Sequence, residues 1–296
     1  MKSIYFIAGL VGAGVFFVSG CSEKKMTAPV RTNHPLKIVT SFLPVYCLTA
    51  NVAGELAVVE NLLPPGVGPH DYQFSPRDLR KLHEADLIFL NGLGVEDWLG
   101  PALPSGQKMV VKISEGLGNQ LIYTRSETSR GLPNPHIWLD PHLAAHAVTN
   151  ILIALQKADP TNAPQFATNA GQFIARLKKL DVEIAEALSS VKRQPFITYH
   201  DAFPYFVQHY GLNLIGVVEP IPDQEPSTKY LSILLREARE KKVKVLFAEP
   251  QFSSRLMTQI AADLKIPVAE LDPLETGSFA LDAYENGMRK NLHTLE

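Results

Sequence analysis

The chain has 296 residues, 46% of them hydrophobic and 20% charged, with a formal net charge of -2. That apolar content at this length supports a sizeable core and two domains, and it excludes a disordered chain. Lys and Arg are scattered and nearly balanced by acids, so there is no basic field to hold a nucleic-acid backbone and nucleic acid is excluded as a partner.

Residues 1–20 read as an export leader. Lys2 supplies the positive start, and "IYFIAGLVGAGVFFV" is an apolar run too short and too weakly flanked for a membrane span. Val18-Ser19-Gly20-Cys21 resembles the bacterial lipobox, in which the cysteine becomes the lipid-bearing N-terminus. A plain signal peptide or an uncleaved anchor is the rival reading; all of these place the protein outside the cytoplasm. Residues 21–35 have no periodic apolar pattern and read as a tether from a lipid anchor on Cys21 to the folded body. Cys47 is the only other cysteine. It has no partner for a structural disulfide and is expected to pack as a small apolar residue in a helix.

From residue 36 short apolar runs alternate with amphipathic stretches. Strands are predicted at 36–42, 56–63, 86–92 and 108–113, with a helix over 76–85. A second group of strands follows at 195–200, 212–218, 243–249 and 267–272, with helices over 228–242 and 253–265. This alternation predicts an α/β chain of two lobes, residues 36–158 and 193–296, each with a mostly parallel four-stranded sheet covered on both faces. Residues 159–192 link them. Asp159-Pro160 reads as an N-cap and first-turn proline, and Phe166, Ala170, Phe173, Leu177, Leu180, Ile184, Ala187 and Val191 form one 4-3 stripe. A helix over about 161–191 would extend roughly 45 Å, longer than one small lobe requires. An ordinary core helix or half a coiled coil would show the same stripe; the favoured reading is a rigid spine between the lobes.

In open α/β sheets ligands bind beyond the carboxyl ends of the strands, and four donor residues fall there. His70 sits in "LPPGVGPHDYQFSPRDL", a loop stiffened by prolines and glycines. His136 lies in "LPNPHIWLDP", His200 ends "PFITYH" and Asp272 ends "PVAELD". Three imidazoles and a carboxylate suit a tetrahedral divalent cation, zinc above all. Their spacing forms no local motif, so from pattern alone a shared site and four separate roles stay equally open. His142 and His146 lie on the polar face of an amphipathic helix and read as solvated, while His34, His83, His209 and His293 read as structural or solvated. Asp140 precedes a helix directly and has a sufficient role as its N-cap, whereas Asp272 leads into "LETGS", which has no helical stripe.

Five stretches, "GPHDYQFSPRDL", "NPHIWLDP", "TYHDAFPYF", "FAEPQFSSR" and "ELDPL", occur in order around the central helix. In these the chain resembles the metal-binding lipoproteins of bacterial ABC importers for zinc and manganese, the cluster A-I or cluster 9 solute-binding proteins. The resemblance implies two α/β lobes joined by one spine helix, a metal clasped between them and delivery to a membrane permease. It implies His70, His136, His200 and Asp272 as the metal ligands. Manganese-type members carry a carboxylate at the third position; His200 there favours zinc. Two features depart from the family. Residues 84–135 contain no histidine, where many zinc-uptake members have a histidine-rich acidic loop, and no cysteine follows Cys47, where many have a disulfide.

The expected function is extracytoplasmic capture of a divalent metal, most simply Zn2+ with Mn2+ as the alternative, by a monomer that passes it to an ABC permease. Affinity should fall on acidification through the ordinary imidazole pKa of about 6.5, because a ligating histidine must be neutral. Rival readings are a surface adhesin with structural zinc and a tethered zinc hydrolase using Asp201 as base. The hydrolase would need an open fourth position for water.

Overall fold

A computed structural model describes residues 35–70, 72–103, 109–124, 131–220, 225–251 and 255–296. The expected leader, Cys21 and all but the last residue of the tether lie outside the described residues. In the first lobe β1 (Leu36–Thr40), β2 (Ala57–Asn61), β3 (Leu87–Leu90) and β4 (Met109–Lys112) form a parallel sheet ordered β2-β1-β3-β4. The second lobe repeats this order with β5 (Pro195–His200), β6 (Asn213–Glu219), β7 (Val245–Ala248) and β8 (Val268–Glu270) as β6-β5-β7-β8, again parallel. Central strands are continuous apolar runs because helices cover both faces; Leu87, Ile88 and Phe89 are fully buried, while edge strand β2 alternates. Each sheet has a switch point between its first and third strands, where the chain changes winding direction, and a crevice opens there at the carboxyl ends.

The helices are α1 (Leu43–Ala53), α2 (Pro76–Glu84), α3 (Pro141–Ala158), α4 (Ala163–Ala187), α5 (Pro204–Tyr210), α6 (Thr228–Glu240), α7 (Arg255–Leu264) and α8 (Ala283–Leu295). Cys47 is buried in α1, and burial pushes its thiol up to about 12, leaving it a packing residue. Among the described residues no helix is long and apolar enough to cross a membrane.

The long helix is α4, continued by a 3₁₀ turn over Leu188–Ser190. Phe166, Ala170, Phe173, Leu177, Leu180 and Ile184 are all fully buried, as the stripe requires, but at its end Leu188 is the fully buried residue while the expected Ala187 and Val191 are only partly buried. The helix packs on α3 and α1 of the first lobe and on α8 of the second. Its start differs from expectation. Asp159 does not cap it; Asn162 occupies the N-cap, and the Asp159 carboxylate instead accepts from the Thr161 and Asn162 N–H groups at 3.1 and 3.3 Å. The short polar side chain closes the turn between α3 and α4, an Asx-type arrangement that competes with helix capping. Asp140, by contrast, caps α3 by accepting from the His142 N–H at 2.8 Å.

Candidate metal centre

His70 leaves β2 on a loop whose far end is pinned at α2: Asp78 Oδ2 accepts from the Ser75 N–H at 2.8 Å, the Ser75 hydroxyl at 2.6 Å and the Tyr72 hydroxyl at 2.8 Å. Pro76 then starts the helix with its missing N–H where none is needed. His136 begins a 3₁₀ turn over Ile137–Leu139, and Asn134 Oδ1 accepts from both its backbone N–H (3.0 Å) and its ring Nδ1 (2.9 Å). Asn134 is itself tied to the second lobe, its amide donating to the Asp201 carbonyl at 2.7 Å while the Tyr205 hydroxyl donates to its own carbonyl at 2.8 Å. Behind this loop Asn91 donates to the Pro135 carbonyl at 3.0 Å, and Asn91 is held by buried Glu96, which accepts from the Asn91 and Gly92 N–H groups and the Ser41 hydroxyl. His200 is the last residue of β5.

The three imidazoles meet. His136 Nε2 and His200 Nε2 lie 3.1 Å apart, and each ring is within 5.7 Å of the other two, centroid to centroid. The carboxylate among them is Glu275. Its Oε1 is 3.1 Å from His70 Nε2, 3.3 Å from His136 Nε2 and 3.9 Å from His200 Nε2. One donor atom from each of these four residues lies within 4.8 Å of the others. Glu275 is 1% exposed, and among the described residues its Oε2 has no hydrogen-bond partner. A buried carboxylate oxygen left without a partner is costly unless a cation is to occupy the space before it.

Asp272, expected as the fourth donor, stands outside this group. Its Oδ1 accepts from the Leu274 N–H at 2.8 Å, and its backbone is clamped by Asn291, which accepts from the Asp272 N–H at 2.8 Å and donates to its carbonyl at 2.6 Å. Leu274 then takes a left-handed backbone (φ +61°), and the Trp138 indole donates to the Pro273 carbonyl at 2.7 Å. The turn that Asp272 closes carries Glu275 into the cluster three residues later. Gly287 of α8 makes room for it, since a Cβ there would lie 2.4 Å from Leu274 Cδ2. The sequence offered one signal for Glu275: it is a second carboxylate on the same irregular stretch.

Burial and mutual charge set the protonation of the cluster. Burial holds the His136 imidazole far below its ordinary range, and the neighbouring His200 and His70 push the same way against Glu275. Burial also works against charge on His200 and Glu275, but other groups outweigh it. Glu249 and Glu275 raise His200, and the imidazoles hold Glu275 ionised well below the usual carboxylate range. The geometry turns Nε2 of all three imidazoles and the Glu275 carboxylate toward one another, the donor set of a tetrahedral zinc site once a cation displaces the proton held on the raised His200 ring.

The remaining histidines lie elsewhere. His142 is exposed, whereas His146 is partly buried with Nε2 2.7 Å from the Glu115 carbonyl oxygen, a structural contact where a solvated ring was expected. His209 is structural, lying between Asp140 (3.0 Å) and Asp181 (2.9 Å).

A family model described as "ZnuA: Zinc-uptake complex component A periplasmic" matches residues 38–296. The chain is 32% identical to the zinc-binding protein AdcA of Streptococcus pyogenes, across 99% of this chain and 61% of AdcA, so it spans about three fifths of that relative's length. It is 31% identical to the high-affinity zinc uptake system protein ZnuA of Bacillus subtilis, across 89% of this chain and 88% of that one. The fold is similar to that of laminin binding protein (Lmb) of Streptococcus agalactiae, described as a bifunctional protein with adhesin and metal transporting activity. The TM-score is 0.79 with 29% identity, covering 89% of this chain and all of Lmb.

Proposed function

The chain belongs to the periplasmic zinc-uptake complex component A family, and on that premise we propose that it binds zinc outside the cytoplasm and hands it to an ABC-type membrane permease. One observation carries the reading. His70, His136, His200 and Glu275 bring three nitrogens and one oxygen together in a largely buried cluster, and Glu275 Oε2 has no hydrogen-bond partner among the described residues. Three imidazoles favour zinc over manganese, which prefers oxygen-rich coordination. With Glu275 in the fourth position the donor set is full, which speaks against a hydrolase that must keep that position for water. In this reading residues 36–158 and 193–296 are the two jaws, residues 159–192 their link, and a lipid on Cys21 holds the monomer at the membrane surface.

The test titrates zinc and manganese against a chelator into a soluble chain beginning after Cys21, beside His200→Ala. One zinc per chain, preferred over manganese, is expected. The variant should lose more than the roughly 10–100-fold that removing an outer supporting residue costs. Equal or tighter manganese binding, or zinc binding indifferent to His200, overturns the proposal. A rival reading is a surface adhesin whose zinc is structural; the likeness to Lmb, described with both adhesin and metal transporting activity, supports only the adhesin half of it. Metal that leaves only on unfolding would support it, and rapid exchange would support uptake.

A further inference from the structure

His200 is the member of the cluster with a second carboxylate behind it. β5 and β7 are adjacent parallel strands with Thr198 opposite Phe247, so two residues further on His200 and Glu249 emerge side by side at the carboxyl end of the sheet. Glu249 Oε1 accepts from His200 Nδ1 at 2.6 Å and from the His200 backbone N–H at 3.2 Å, and both side chains are 1% exposed. Its other oxygen, Oε2, accepts from the Gln251 amide at 3.4 Å. His136 differs, since its Nδ1 faces the neutral amide oxygen of Asn134.

We propose that Glu249 is a positioning residue for the metal centre: it fixes His200 as the Nδ1–H tautomer with Nε2 presented to the cation. The inference rests on the zinc-binding reading above. A charge-assisted bond as short as this one locks both the ring's rotation and its tautomer, and a carboxylate behind a ligating imidazole makes the imidazole a stronger donor.

The test compares wild type, Glu249→Gln, Glu249→Ala, His200→Ala and the double variant H200A/E249A by zinc titration against a chelator. Long-range imidazole 1H–15N spectra of the zinc-loaded protein are recorded beside them. Glu249→Ala should weaken zinc by about 10–100-fold, and Glu249→Gln, which keeps an acceptor but loses the charge, by less. In the His200→Ala background removal of Glu249 should cost nothing further, since it acts through that ring. Wild-type spectra should show His200 protonated on Nδ1 and metallated on Nε2, with that single tautomer lost in Glu249→Ala. A purely structural role would lower thermal stability but leave zinc affinity and tautomer unchanged, and that result overturns the inference. So does an equal loss on removing Glu249 with and without His200. If wild type binds no zinc, the uptake reading fails and this inference with it; if wild type binds zinc through His200 and Glu249→Ala does so equally well, this inference alone fails.

Discussion

Two carboxylates three residues apart, Asp272 and Glu275, separate direct donation from support. Glu275 faces the three imidazoles, while Asp272 closes the turn that delivers it. Glu275→Gln removes the anion opposed to the cation and should weaken zinc by at least about tenfold. Asp272→Asn keeps an acceptor for the Leu274 N–H and should leave zinc affinity within a few-fold. Equal losses in the same chelator competition would show that the two residues share the donor role. His70 and His200 are legible in the sequence because each follows or ends a strand-like run and the strand-end rule picks them out, whereas His136 stands out by its proline-stiffened loop directly before a helix. That rule also picks Asp272, the first carboxylate after the run. What decides for Glu275 is the left-handed Leu274, the Trp138 bond to Pro273 and the Asn291 clamp. Those contacts come from residues up to 135 positions away, and no local pattern announces them. Glu249 was hidden in the same way, since only strand register sets it beside His200.

At the scale of elements, His209 of α5 joins the Asp140 N-cap of α3 to Asp181 of α4, with the Tyr210 hydroxyl also donating to Asp181 and the His142 ring 6.3 Å away. The Asp140 hydrogen bond raises the His209 pKa against the effect of burial, and Asp181 adds to the rise. Because the folded value stands above the unfolded value of about 6.5, the stabilisation is fully present below that pH and is lost as pH rises through the folded value. Urea unfolding of metal-free wild type and His209→Gln should show the stability gap narrowing from pH 6 to pH 8. A gap that is constant or widens with pH would show that the histidine contributes by packing rather than by charge. The strands and most helices were readable from periodicity, and the two groups of four strands marked the two lobes; α8 was not, and His293, read as structural or solvated, lies within it. The start of α4 was not readable either, because Asp-Pro at 159–160 satisfies the rule for a helix start equally well when the aspartate closes a preceding turn.

Across the whole molecule the lobes share one core. The buried cluster that contains Ile38, Leu87 and Trp138 of the first lobe continues through the α4 stripe to Phe203, Phe247, Leu274 and Met288 of the second. Arg176–Glu285 and Arg289–Glu183 join α4 to α8 at the surface. Nearer the centre, the Tyr284 hydroxyl donates to the Trp138 carbonyl at 2.6 Å and Asn134 donates to Asp201 across the lobes. A wide hinge would pull this core apart, exposing apolar surface at a cost of roughly 25 cal/mol per Å² and leaving the Trp138 and Asn134 bonds unmade in the interior. The cheaper response to a cation lies in the parts outside that core. The His70 loop is the least buried of the four donors, and the Glu275 turn sits over a cavity of about 220 Å³ between α1 and α8. Metal binding should therefore draw the His70 loop and the Glu275 turn inward while the lobes keep their relative placement. Small-angle scattering on a soluble chain, with an expected radius of gyration of about 18 Å for its roughly 260-residue body, should change by less than about 1 Å on adding zinc. Hydrogen exchange should slow in residues 62–75 and 272–282 and stay constant in α4. A contraction of several Å, or new protection along α4, would mean that the spine bends and that closure is a motion of whole lobes.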